Sequence, residues 1–130
     1  MNSADVREFL KTIKPTFSKY YAGKLDNKYE KSVCVYSIKS QNNRNIAIGG
    51  KENTKTKINS FSILIHWNKN YTETETISKL LYENIAELRF TDINGNKINY
   101  IEMISDEPID LNTDDNGVYE RLIDIRIYYN

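Results

Sequence analysis

Hydrophobic residues recur along this chain with two periods, one typical of helices and one typical of strands. The first helical stretch carries apolar residues three and four positions apart, namely Val6, Phe9, Leu10 and Ile13. Ser3 or Asp5 can cap its start, and Pro15 disfavours its continuation beyond Lys14. The pattern therefore predicts a short helix at the beginning of the chain.

A second helix is predicted to start near residue 72. Thr72 and Glu75 have the spacing of a capping box, in which the threonine caps the helix and the glutamate reaches back to it. The apolar face behind this start consists of Ile77, Leu80, Leu81, Ile85 and Leu88. This spacing predicts that the helix packs one face against the rest of the protein.

Four stretches are rich in β-branched and aromatic residues and predict strands, at residues 32–38, 59–67, 97–104 and 118–129. Asn94 and Gly95 form a favoured pair for a tight turn before the third of them. Two sets compete for the inner face of that third strand: Ile98, Tyr100 and Ile104 against Ile101 and Met103.

The predicted order is helix, strand, strand, helix, strand, strand. This order indicates the α+β class, with a mixed, mostly antiparallel sheet of about four strands and two helices packed on one face. A sheet covered on one side leaves its other face polar or open to partners. The 130 residues suffice for one domain spanning residues 1–130 and are too few for two comfortable ones.

Residues 39–57 are predicted to form a loop, which we call the basic segment. Connections within compact domains usually take about 4–6 residues, so one of this length tends to be functional or disordered. Its charged residues are Lys39, Arg44, Lys51, Lys55 and Lys57 against Glu52 alone. Such a segment can contact a phosphate backbone, but it has no aromatic residue for stacking on bases. Docking on an acidic neighbour is an equally good interpretation. Residues 17–29 and 105–116 are also predicted to be irregular.

The net charge is zero, yet the two halves of the sequence differ strongly. Residues 1–70 hold 13 Lys and Arg against 5 Asp and Glu, a balance of +8, and residues 71–130 hold 5 against 13, a balance of −8. If the halves interleave in space, the split has no consequence. If they do not, the subunit has two faces of opposite sign, which suits head-to-tail association. The basic segment of a neighbouring copy could bind to an acidic stretch of this chain, which contains Asp106, Glu107, Asp110, Asp114 and Asp115.

The sequence offers little for catalysis, metals or membranes. One histidine and one cysteine are too few for a zinc site built from those residues. His66 lies in a predicted strand, where a structural role is commoner, and Cys34 has the neighbours of a buried thiol. Residues 114–117 fit a turn better than a calcium loop. No apolar run approaches the ~20 residues that cross a bilayer. We therefore expect no catalytic residue, metal or cofactor, with carboxylate chemistry as the enzymatic alternative.

Two stretches of the sequence resemble those of a known family. Residues 106–121 read Asp-Glu-Pro-Ile-Asp-Leu-Asn-Thr-Asp-Asp-Asn-Gly-Val-Tyr-Glu-Arg, and residues 63–70 read Ile-Leu-Ile-His-Trp-Asn-Lys-Asn before Glu-Thr-Glu at 73–75. The run Ile-Ala-Ile-Gly-Gly at 46–50 adds a shorter match. Over about residues 33–130 the chain is similar to the minor capsid and tail-terminator proteins of long-tailed bacteriophages and prophages.

The resemblance implies a structural virion protein that is not an enzyme. Such a protein would form a ring, expected to be a hexamer, at the head-proximal end of the tail tube. The ring would stop tube growth and join the tail to the neck or head. Expected partners are copies of the chain, the tail tube protein, the neck or stopper protein and the sheath terminator. DNA would pass through the ring without sequence-specific binding.

The resemblance also implies a location and adds interface residues. The protein would be made in the cytoplasm of the bacterial host and would reside in the tail or neck of the virion. In a ring, the expected interface residues are those of the basic segment and the acidic stretch, and in addition Tyr119, Glu120 and Arg121. Two alternatives stay open, namely a nucleic-acid-binding accessory module that uses the basic segment and another neck or minor capsid connector.

Overall fold

The computed structural model describes residues 1–39, 56–89 and 91–130, and most of the basic segment therefore lies outside the described residues. In these ranges the protein is α+β, with two helices, α1 (Ser3–Leu10) and α2 (Tyr71–Ala86). Its strands are β1 (Lys19–Ala22), β2 (Ser32–Ile38), β3 (Lys57–His66), β4 (Asp92–Ile93), β5 (Asn96–Met103), β6 (Ile109–Thr113) and β7 (Tyr119–Tyr129). No helix in these ranges is long and apolar enough to span a membrane.

Helix α1 begins one residue earlier than its predicted caps allow. The Oδ1 atom of Asn2 accepts a hydrogen bond from the backbone N–H of Asp5 at 2.9 Å, and the Asp5 carboxylate accepts one from the N–H of Asn2 at 2.8 Å. Asn2 is thus the N-cap and the predicted caps are wrong, because asparagine caps as well as serine or aspartate does.

Helix α2 likewise begins two residues before the predicted capping box. Asn70 is the N-cap, and its Oδ1 atom accepts from the backbone N–H of Glu73 at 3.0 Å. The prediction of Thr72 and Glu75 is therefore wrong in register, although the helix itself is confirmed. The apolar face is confirmed for Leu81 and Ile85, which are buried, whereas Leu80 is 39% exposed.

The strands form one curled mixed sheet in the order β1-β2-β3-β7-β5-β4, with β6 also paired to β7. Strands β1 and β2 are parallel, and every other pair is antiparallel. Strand β7 is central, because β3 lies along one side while β5 and β6 share the other. The predicted turn at Asn94 and Gly95 connects β4 to β5, and both residues have positive φ, at 49° and 78°.

The four predicted strands correspond to β2, β3, β5 and β7, but the expectation of about four strands is too low. The sheet also contains β1, β4 and β6. Strand β1 has four residues without an alternating pattern and β4 has two. Strand β6 is exposed at all five positions, so it is recognised as a strand by its pairing with β7 and not by a pattern of buried residues. The prediction that residues 105–116 form a loop is therefore wrong at 109–113, and that of an irregular 17–29 is wrong at β1.

One face of the sheet carries the hydrophobic core, and both helices pack on it. Residues Val6 and Leu10 of α1 and Leu81 and Ile85 of α2 join one buried cluster with the inward residues of β2, β3 and β7. A register shift in β5 lies between Ile98 and Tyr100, so Ile98 packs inward together with Ile101 and Met103, whereas Tyr100 and Ile104 are exposed. Each competing set for this strand was thus right only in part.

Candidate functional site

The pairing of β6 with β7 brings together most of the acidic residues predicted as an interface. In this pairing Asp110 lies opposite Arg121, and Thr113 lies opposite Tyr119. The turn between the strands holds Asp114 and Asp115 and is confirmed as a turn, since Gly117 donates its N–H to the Asp114 carbonyl at 3.1 Å. The pairing therefore divides this run of charges, since Asp110 lies beside Arg121 whereas Asp114 lies beside His66.

A groove lies between the start of α2 and this surface, and we call it the acidic groove. Its lining includes four carboxylates, those of Glu75, Asp106, Glu107 and Asp110. Its apolar lining comes from Tyr71, Pro108 and Ile109, and Arg121 lies at its base. Ile109 is 38% exposed and the adjacent Leu111 is 41% exposed. The groove thus combines negative charge with exposed apolar surface.

A tyrosine of α2 fixes one wall of the acidic groove. The hydroxyl of Tyr82 donates a hydrogen bond to the carbonyl of Ser105 at 2.6 Å, which ties the segment before β6 to the helix. Burial raises the pKa of Tyr82, and the negative charge of Asp106 adds to this shift. The phenol therefore stays protonated and remains a donor over the ordinary pH range.

Arg121 faces inward within its own subunit and does not extend into solvent. It is 5% exposed, its Nη2 atom lies 3.6 Å from Asp110 Oδ2, and its guanidinium lies 5.2 Å from the centre of the Tyr71 ring. Its Nε and Nη2 atoms have no hydrogen-bond partner among the described residues. The guanidinium places a positive charge beneath the carboxylates of the groove.

His66 at the end of β3 faces two carboxylates. Its Nδ1 atom lies 3.0 Å from Glu120 Oε2 and 3.7 Å from Asp114 Oδ2. The histidine is fully buried, and Glu120 lies directly opposite it in the pairing of β3 with β7. Glu120, like Arg121, thus has a partner within its own subunit, and its role at a subunit interface stays a prediction.

The described basic residues that follow lie along or beside β1, β2 and β3. Lys39 and Lys57 are exposed at the ends of β2 and β3, and Arg44, Lys51 and Lys55 lie outside the described residues. A set of exposed lysines follows β1 and the segments beside it, and we call it the basic edge: Lys14, Lys19, Lys24, Lys28 and Lys31. Two acidic residues, Asp26 and Glu30, lie in the same stretch.

The strands of the two halves lie side by side in the sheet, although the halves also touch elsewhere, since Asn84 of α2 bonds to the carbonyl of Lys14 and Asn94 bonds to Asp5. Strands β1, β2 and β3 come from residues 1–70, and β4 to β7 come from residues 71–130. The sheet order places the first group on one side of the β3–β7 pair and the second group on the other. The strands of the more basic half and those of the more acidic half therefore lie on opposite sides of the β3–β7 pairing.

Sequence reasoning did not find the groove or the histidine cluster. Glu75 was assigned to a helix cap, yet it lines the acidic groove together with Tyr71. Ile109 and Leu111 were placed in a loop, and their exposure on an edge strand was not foreseen. The alternation of Ile109, Leu111 and Thr113 with polar residues was the only signal for β6, and it is weak in a stretch of five residues.

Comparison with known proteins identifies the family. A family model described as "Bacteriophage tail terminator protein" matches residues 1–130, which is the whole chain. No curated protein and no solved structure shows significant similarity to it. The matched family consists of structural proteins of the phage tail, which makes the chain a virion component with a structural role. Since the match covers every residue, the chain belongs to the bacteriophage tail terminator family.

Proposed function

We propose that copies of this chain form a closed ring at the head-proximal end of the tail tube. The ring stops tube growth and provides the surface to which the neck or head joins. Its partners are the last ring of the tail tube protein on one side and a neck or stopper protein on the other. Contacts with a sheath terminator arise if the tail is contractile, and DNA passes through the ring without sequence-specific binding.

The side-by-side placement of oppositely charged halves carries this proposal. A subunit with a basic side and an acidic side attracts the next copy head to tail, and such heterologous contacts close into a ring when the rotation between copies allows. A two-fold dimer uses the same patch on both copies, so pairing through the acidic groove alone would bring carboxylates against carboxylates. The charge distribution therefore favours a ring over a two-fold dimer.

The acidic groove and the basic edge are the surfaces that we assign to this contact. The groove offers four carboxylates beside Ile109, and the exposed Leu111 lies two residues further along β6, outside the groove lining. Rim charges mainly steer association and set register, whereas apolar contact contributes more of the affinity. We therefore expect the lysines of the basic edge to orient the neighbour and the two apolar residues of β6 to hold it.

The edges of the sheet suit such a contact. Strand β1 pairs only with β2, and β6 pairs only with β7, so each has a free backbone edge in the described ranges. Exposed strand edges present unpaired N–H and C=O groups that another chain can pair with. A ring that covers both edges satisfies these groups in every copy.

A charge exchange tests the interface in the phage itself. Changing Asp106, Glu107 and Asp110 to lysine should prevent ring formation, and so should changing Lys19, Lys24 and Lys28 to glutamate. A chain that carries both sets of changes should regain assembly, because the attraction is restored with reversed sign. A matched control changes Glu83, Glu87 and Asp92 to lysine, since these are exposed acidic residues outside the groove.

Deleting the gene tests the role in the particle. We expect electron micrographs of the lysate to show over-long tails or separated heads and tails. Tails of normal length that are normally joined to heads would refute the terminator role. Normal particles with the groove variant alone would refute the interface while leaving that role intact, so the two results are distinguishable.

A further inference from the structure

His66, Asp114 and Glu120 meet although they come from three separate places in the chain. They lie at the end of β3, in the turn before β7, and near the start of β7. One nitrogen or oxygen atom of each lies within 4.8 Å of the corresponding atoms of the other two. The histidine is 0% exposed, and the side chains of Asp114 and Glu120 are 12% and 18% exposed. The cluster is therefore largely shielded from water.

Hydrogen bonding does not account for both carboxylates. The Nδ1 atom of His66 carries at most one hydrogen, and Glu120 Oε2 at 3.0 Å is the closer acceptor. Asp114 Oδ2 is buried and finds no hydrogen-bond donor in the described part of the chain. A shielded carboxylate oxygen without a partner is unfavourable. Two carboxylates thus face one ring, and a further positive charge would balance them.

The turn holds Asp114 in this orientation. Its Oδ1 atom accepts hydrogen bonds from the backbone N–H groups of Asn116 at 2.9 Å and Val118 at 3.0 Å. These bonds occupy one carboxylate oxygen and direct the other toward the histidine. Outer hydrogen bonds of this kind orient carboxylate ligands in metal sites.

The distances and ligand types fit a transition metal. Tetrahedral Zn²⁺ binds nitrogen and carboxylate oxygen at roughly 2.0–2.2 Å, which places its ligand atoms about 3.4 Å apart. The two measured separations from His66 Nδ1, 3.0 and 3.7 Å, lie on either side of that value. Mg²⁺ and Ca²⁺ prefer sites made only of oxygen, so the imidazole disfavours them.

We propose that His66, Asp114 and Glu120 bind one divalent transition-metal cation, preferentially Zn²⁺, with water at a fourth position. The bound ion would join the turn between β6 and β7 to the end of β3, on the face of β7 opposite Arg121 and the acidic groove. Its role is structural, because it would fix the strand pair that builds the groove wall. The inference rests on this geometry alone and stands whether or not the chain forms a ring.

The test uses the full chain, free of any affinity tag and stripped of metal by a chelator. After incubation with zinc chloride and dialysis, elemental analysis should find one zinc ion per chain. At a free zinc concentration about a hundredfold above the dissociation constant, the melting temperature should rise by roughly 8 °C. The same concentration of magnesium chloride should leave it nearly unchanged.

Two variants with a matched control show where the ion binds. D114N keeps an oxygen for the two turn amides but removes the anionic ligand, and E120Q keeps an acceptor for His66. Both should lose the bound zinc and the zinc-dependent rise in melting temperature. D115N makes the same charge change at an exposed neighbour outside the cluster and should keep both. The proposal fails if the unmodified chain retains no zinc, or if D114N and E120Q retain as much as D115N.

Discussion

Replacing Glu73 by alanine should detach the start of α2 from the sheet. The Oε1 atom of this glutamate accepts hydrogen bonds from Trp67 Nε1 at 3.0 Å and from Asn68 Nδ2 at 3.1 Å. Trp67 is 5% exposed and directly follows β3, so the interaction joins the helix N-terminus to the end of a central strand. Glu73 therefore acts across two elements, whereas an ordinary first-turn glutamate acts only within its helix.

The size of the effect follows from what the alanine leaves behind. The buried indole N–H loses its acceptor, and a buried donor without a partner costs about 1–3 kcal/mol. Loss of a negative charge in the first turn of a helix adds about 0.3–1 kcal/mol. E73A should thus lower the free energy of unfolding by about 2–3 kcal/mol. E73Q keeps an acceptor oxygen and should lose about 1 kcal/mol.

Urea unfolding monitored by fluorescence measures this effect, because Trp67 is the only tryptophan in the sequence. The midpoint should fall in the order unmodified chain, E73Q, E73A, with little change in the slope of the transition. E75A is the control, since it removes a glutamate from the same helix end but leaves the tryptophan bonded. If E73A and E75A unfold at the same urea concentration, the bond from Trp67 contributes nothing to stability and the reasoning is refuted.

Three further changes have defined outcomes. G95A should lower stability by about 1 kcal/mol in thermal melts, because Gly95 has a φ of 78° that alanine adopts with strain; an unchanged melting temperature would contradict this. Burial raises the pKa of Tyr36 from 10.0 to about 12. Since this folded-state pKa lies above the unfolded value, stability should fall as pH rises from about 10 to about 12. Y36F should flatten that decline in urea titrations across the window, and an equally steep decline would count against it. Changing Lys51, Lys55 and Lys57 together to glutamate should impair particle assembly, while circular dichroism should show that the subunit is still folded. Loss of folding would instead show that the basic segment is part of the core.

The parts of the fold that the sequence predicted are those with strong local patterns. Strand β2 was predicted with its bounds, and β3, β5 and β7 within two residues at each end, because these segments are rich in β-branched and aromatic residues. Strands β1 and β6 have no such pattern, since β1 is short and β6 is exposed throughout. Their existence depends on pairing with partners distant in sequence, which local pattern cannot reveal.

The same distinction applies to the candidate site. The acidic stretch was visible as a run of charges, and the structure places much of it along one groove. The contribution of Glu75 was not visible, because the capping prediction was two residues out of register. The cluster at His66 does not follow from the histidine and cysteine content, because two of its three members are carboxylates that are distant in sequence from the histidine. Glu120 is its partner across the β3–β7 pair, and only the strand register brings the two together.

The strand order sets the distance between the charges on β1 and those on β6. From β1 to β6 there are four strand spacings, by way of β2, β3 and β7, which amounts to about 19 Å. The Debye length at physiological ionic strength is about 8 Å, so Lys19 on β1 and Asp110 on β6 of one subunit are largely screened from each other. In the proposed ring, two neighbouring copies would bring the same groups within a few ångströms, where screening is weak. If the proposed ring forms through these charges, its assembly should therefore weaken steeply as salt is added.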